Sequence, residues 1–96
     1  MDERSYTDAD TTAKIHCIPG FTVLEPVPFQ VERICSEFVL TDAVFGRYGS
    51  STEFSVARMD LVHALADYFE TLRAEEHRLS RGAREHYEAM LRHVAD

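Results

Sequence analysis

Between residues 52 and 77 the apolar residues Phe54, Ala57, Leu61, Leu65, Tyr68 and Leu72 recur at alternating three- and four-residue steps. At ~100° per residue they form one stripe, widened by Val62 and Phe69. Met59, Asp60, His63, Asp67, Glu70 and His77 fall on the opposite side. The spacing predicts an amphipathic helix over residues 52–77, started by Ser50 and Glu53 at capping-box separation. A further helix is expected from Ser80, as N-cap, to about residue 94. Its apolar face is Ala83, Tyr87, Met90, Leu91 and Val94, set against Arg84, Glu85, Glu88 and Arg92.

Upstream the pattern is different. Val31, Ile34, Phe38 and Phe45 read as a helical stripe, and Val39, Leu40, Ala43 and Val44 cover much of the rest, leaving a narrow polar strip of Gln30, Arg33, Glu37 and Thr41. With Pro28 suited to a first helical turn and Gly46 or Gly49 to an end, a helix is expected over residues 29–45. A helix apolar on most sides is covered on most sides. Either the chain itself encloses it or a second copy does, and the shortness of the chain favours a homodimer. Residues 21–24, aromatic and β-branched, are the best strand, needing an edge to pair with, such as one in that second copy. A hairpin across Pro19-Gly20 is weak, because Pro-Gly favours a type II turn whose twist opposes that of hairpin strands.

The composition fits one small domain. Ninety-six residues, 45% hydrophobic and 28% charged, have the balance of a folded chain. Residues 1–14 hold four acids and almost nothing apolar, so they are expected to form an acidic disordered tail ahead of a single helical domain over residues 15–96. The net charge of −7 and pI near 5.1 disfavour direct nucleic-acid binding and a polybasic membrane anchor. An opening of Met1-Asp2-Glu3-Arg4 is not that of a secretory signal. Cys17 and Cys35 match no disulfide framework, which points to a reducing, cytoplasmic setting. The charge is uneven: residues 1–72 hold five bases and twelve acids, residues 73–96 five of each.

The order Phe21-x-Val23-x-x-x-Val27-Pro28-Phe29, followed by Ser36, Val39-Leu40 and Ala43, resembles short pseudomonad proteins of a domain-of-unknown-function family. Their pattern is F-x-V-x-x-G-[VI]-P, then a helix rich in A-x-x-x-[AS]-x-x-L-L-x-x-A, then a second amphipathic helix. Pro26 stands here in place of the glycine, and Glu32 and Arg33 in place of an alanine and a leucine; residues 80–96 lie outside the pattern. Over residues 21–73 the resemblance implies a helical, non-enzymatic protein. It implies no substrate.

No set of residues has the makings of a catalytic or metal centre. His63 and Asp67 are one helical turn apart but lack the further ligands a zinc site needs. His86 and His93 are ~10.5 Å apart along a helix and read as surface residues. His16 and Cys17, adjacent on a strand, would point to opposite faces. Both cysteines read as small buried hydrophobes, and the four glycines as turns or helix ends. Glu75 and Glu76 sit among Arg73, Arg78, Arg81 and Arg84 as a salt-bridged helix end. The expectation is a mostly α, three-helix antiparallel homodimer with a short N-terminal strand, having no catalytic, cofactor-binding or metal residues. It would bind and inhibit or sequester another protein, such as a transcription regulator, through Phe21, Val23, Phe29, Val39, Leu40, Ala43 and Val44. The alternative is an acidic nucleic-acid mimic that occupies the basic groove of a phage-defence or nucleic-acid-binding protein.

Overall fold

The computed structural model describes residues 13–95. Its fold is mixed α/β, which overturns the three-helix reading. The elements run β1 (Lys14–Ile15), β2 (Thr22–Val23), β3 (Val27–Ile34), β4 (Glu37–Asp42), β5 (Tyr48–Ser51), α1 (Phe54–Ala74), a 3₁₀ turn (Glu76–Arg78), α2 (Arg81–His93) and β6 (Val94–Ala95). Four strands form an antiparallel sheet in the order β1-β3-β4-β5, and β2 pairs with β6 in a separate two-stranded ribbon. The acidic tail expected over residues 1–14 lies outside the described residues except for Ala13 and Lys14, and Lys14 pairs with Pro28.

The stretch expected to be a helix over residues 29–45 is instead the β3–β4 hairpin and the loop that follows it. Val31 pairs with Leu40 and Phe29 with Asp42, so Val27, Phe29, Val31, Phe38 and Leu40 share one face of the sheet. Read with a period of two, the same residues that made a helical stripe alternate inward and outward. Cys35 and Ser36 form the two-residue turn, both with positive φ (50° and 73°), as a type I′ hairpin requires. Pro28 fits at the other end of β3: its carbonyl accepts the Ala43 N–H at 3.0 Å, and β4 ends before a return donor is needed.

Beyond β4 the chain turns around Asp42. Its buried carboxylate accepts the backbone N–H groups of Val44, Phe45 and Arg47 at 2.8, 2.5 and 2.7 Å. β5 then passes beneath α1. Gly49 is buried there, and a Cβ on it would collide with the α1 backbone at Ala57, Asp60 and Leu61. That glycine permits close packing inside a strand and ends no helix.

α1 forms within the expected range and buries Ala57, Leu61, Val62, Leu65, Phe69 and Leu72. The expected capping box is not made: Glu53 is the N-cap, without a side-chain bond, and its N–H goes to Ser51 Oγ at 3.2 Å. α2 does start from Ser80, whose hydroxyl accepts the Ala83 N–H at 3.3 Å. One core runs through the chain, from Ile15 and Val27 through Leu40, Phe45 and Leu65 to Met90 and Val94.

Pro19-Gly20 makes the expected type II turn. Phe21 N–H bonds the Ile18 carbonyl at 3.1 Å, Gly20 has φ +86°, and pairing stops at a single Ile18–Phe21 bridge. The strand after it finds its partner within the chain. Thr22 pairs with Ala95 and Val23 with Val94, while the His93 carbonyl accepts the N–H groups of Leu24 (2.7 Å) and Glu25 (3.1 Å).

Candidate functional site

The type II turn lifts residues 16–23 off the sheet and lays them alongside α1. A groove of about 460 Å³ opens between the two. One wall is His16, Cys17, Ile18, Pro19, Phe21 and Val23; the other is Arg58, Met59 and Val62 from the flank of α1. The first wall is held in place by aromatic packing, since Phe21 meets Phe69 edge-to-face at 5.7 Å and the Arg73 guanidinium covers Phe21 at 4.9 Å. A second hollow of about 320 Å³ lies across β2, where Phe21 again takes part beside Leu24, Arg73 and Tyr87.

The groove is apolar with a basic edge. Met59 is 53% exposed, and Val56, one helical turn before it, is 50% exposed. Among the described residues, Arg58 and His16 are the only ionisable side chains in the lining besides the Cys17 thiol, and the Arg58 guanidinium has no ion-pair partner. Such a site, in a chain of net charge −7, has a local sign opposite to that of the whole. Its volume lies in the range of small-ligand and anchor-residue pockets.

The seven residues expected to make an interaction face do not stand together. Phe21 and Val23 line the groove. Phe29 and Leu40 are buried in the chain's own core. Val44 packs against that core from the loop, Ala43 is exposed beside it, and Val39 is half-buried on the sheet face turned away from α1. Sequence reasoning missed Arg58, Met59 and Val62. The signal was present in Val56 and Met59, two apolar residues on the polar side of an otherwise regular amphipathic helix.

Other candidates are placed differently from expectation. Cys17 and Cys35 are both exposed, because Cys35 is at the hairpin turn and Cys17 is on the groove wall beyond β1. His93 is buried, with its Nδ1 donating to the Glu25 carbonyl at 2.8 Å, and His86 shares a 2.6 Å hydrogen bond with the Tyr68 hydroxyl. Both pack edge-on to Phe45, so neither is a surface histidine. The Glu75–Arg78 pair at 2.7 Å is the expected solvated helix end. Nearby, Tyr87 donates to Glu76 Oε1 at 2.6 Å, and that bond, with burial and the carboxylate's charge, raises the phenol above its ordinary pKa against the opposing pull of Arg84 and Arg73. Among the described residues no three His, Cys, Asp or Glu side chains stand close enough to hold a metal ion, and no helix is long and apolar enough to cross a membrane.

No protein-family model matches the chain, and no curated protein or solved structure matches it. The functional reading therefore rests on the groove.

Proposed function

We propose that the chain is a small non-catalytic interaction protein whose groove takes an apolar segment of a protein partner, flanked by carboxylates. The observation that carries this is the pairing of an apolar cleft with Arg58 at its edge, which has no ion-pair partner among the described residues. Apolar side chains supply the affinity of such a contact, and complementary charge at the rim supplies orientation and encounter rate. By holding such a segment the protein would keep a partner, a transcription regulator for example, from its other contacts. Among the described residues, the Cys17 thiol in the groove wall has no hydrogen bond to a base.

The aromatic sulfonate 8-anilinonaphthalene-1-sulfonate has the stated chemistry, apolar with one negative charge. Titrated into dilute protein, it is expected to bind at one site per chain. Met59→Asp and Arg58→Glu should each weaken binding about tenfold or more while far-UV circular dichroism stays unchanged. Binding that survives both substitutions would overturn the reading.

A further inference from the structure

We infer that the groove's partner is a second copy of this chain, which inserts the tip of its β3–β4 hairpin; the inference rests on the binding role proposed for the groove. The tip has the chemistry the groove asks for. Ile34, the last residue of β3, is 51% exposed. Glu37 lies directly across from it in the ladder, and Glu32 precedes it by two residues on the same face of the sheet. An exposed aliphatic side chain thus stands between two carboxylates. The one basic residue nearby, Arg33, belongs to the opposite face, where its guanidinium covers the Phe38 ring at 4.5 Å.

The complement is specific in sign. Among the described residues the groove lining carries Arg58 and His16 with no acid, and the Glu70 carboxylate beside Gly20 is paired with Arg73, whereas the tip face carries Glu32 and Glu37 with no base. Two tips meeting each other, or two grooves, would bring like charges together, and that arrangement is disfavoured. Tip into groove is the favoured pairing. Exchanged reciprocally between two copies, it closes a two-fold dimer rather than an open chain.

The cysteines make this arrangement directly testable. Cys35 sits at the turn next to Ile34, Cys17 lines the groove, and both are free and exposed. Docking would bring Cys35 of one copy to Cys17 of the other. In sedimentation velocity the wild type is expected to run as a discrete dimer, and Ile34→Asp and Met59→Asp should each weaken dimerisation about tenfold or more. Mixing the two variants should give a dimer weaker than the wild type but tighter than either variant alone, because one of the two tip–groove contacts is then intact. Mild oxidation with diamide, which takes up the two electrons and two protons released by a pair of thiols, should give a cross-linked dimer that disappears in both Cys17→Ser and Cys35→Ser. Cross-linking that survives either substitution, a mixture that stays monomeric, or a wild type that is monomeric at high concentration would each overturn the inference. The naphthalene sulfonate separates this failure from failure of the groove itself: Ile34→Asp, with its groove vacated, should bind the dye at least as tightly as the wild type whichever way the dimer test falls.

Discussion

At the scale of single residues, Asp42 decides the course of the chain between β4 and β5. Its carboxylate is the acceptor for three backbone N–H groups, that of Phe45 buried and those of Val44 and Arg47 part-buried. Asp42→Ala is expected to cost about 3 kcal/mol in urea unfolding, the scale of leaving one buried and two part-buried donors without their acceptor. Asp42→Asn, which keeps one acceptor oxygen, should cost less. Tyr87 makes a prediction that depends on pH. Because its folded pKa is raised, its hydrogen bond to Glu76 contributes fully below the phenol's unfolded value and is lost as pH climbs through the folded one. The stability gap between wild type and Tyr87→Phe should therefore be widest near neutral pH and close above about pH 10. A gap that stays constant into strong alkali would show that the bond contributes nothing through this proton.

At the scale of elements, the two helices were legible and the sheet was not, for a physical reason. Phe54–Ala74 and Arg81–His93 keep a regular 3.6-residue stripe over several turns, a pattern that no strand can use. Residues 27–45 satisfy both periods over a short span: Val31, Ile34 and Phe38 have helical spacing, while Val27, Phe29 and Val31 alternate. The usual arbiter, an Asn-Gly or Asp-Gly turn, is missing, because Cys35-Ser36 takes up the left-handed conformations instead. Density of β-branched and aromatic residues in 27–45 was the cue that favoured strands. The groove was half legible. Phe21 and Val23 stood out as unpartnered apolar residues, but the wall they face comes from a helix whose outer side looked solvated. Packing between elements also explains Gly49, which sequence alone placed at a turn or helix end. Gly49→Ala would drive a methyl into the α1 backbone at Ala57 and Leu61, with no flexible side chain to yield. The expected cost is about 3 kcal/mol, at the upper end of overpacking penalties, read as a lower urea midpoint with an unchanged slope. An alanine variant as stable as the wild type would mean that β5 and α1 are not in this close contact.

At the scale of the whole molecule, the chain closes on itself through the β2–β6 ribbon, and that closure sets the groove. Val94 is buried and pairs with Val23, while His93 holds Glu25 from its side chain and Leu24 and Glu25 from its backbone. The groove wall is thus fixed from two directions, by Phe21 on Phe69 of α1 and by residues 93–95 on β2. Removing residues 94–96 deletes the two ladder pairs of the second support, Thr22 with Ala95 and Val23 with Val94, and leaves His93 on Leu24 and Glu25. Loss of the buried Val94 side chain and two ladder pairs should lower stability by about 2 kcal/mol, leaving α1 and the four-stranded sheet folded. Groove binding should fall by more than that loss explains, because Val23 is freed from its edge while Arg58 and Met59 stay in place on α1. Hydrogen exchange separates the two effects: the Thr22 amide should lose protection in the truncated chain, and those of Leu61 and Leu65 should keep it. If dye affinity instead stays at the wild-type level while the β2 amides exchange freely, Phe21 and the helix flank alone make the site, and the ribbon closes the fold without shaping the surface that binds.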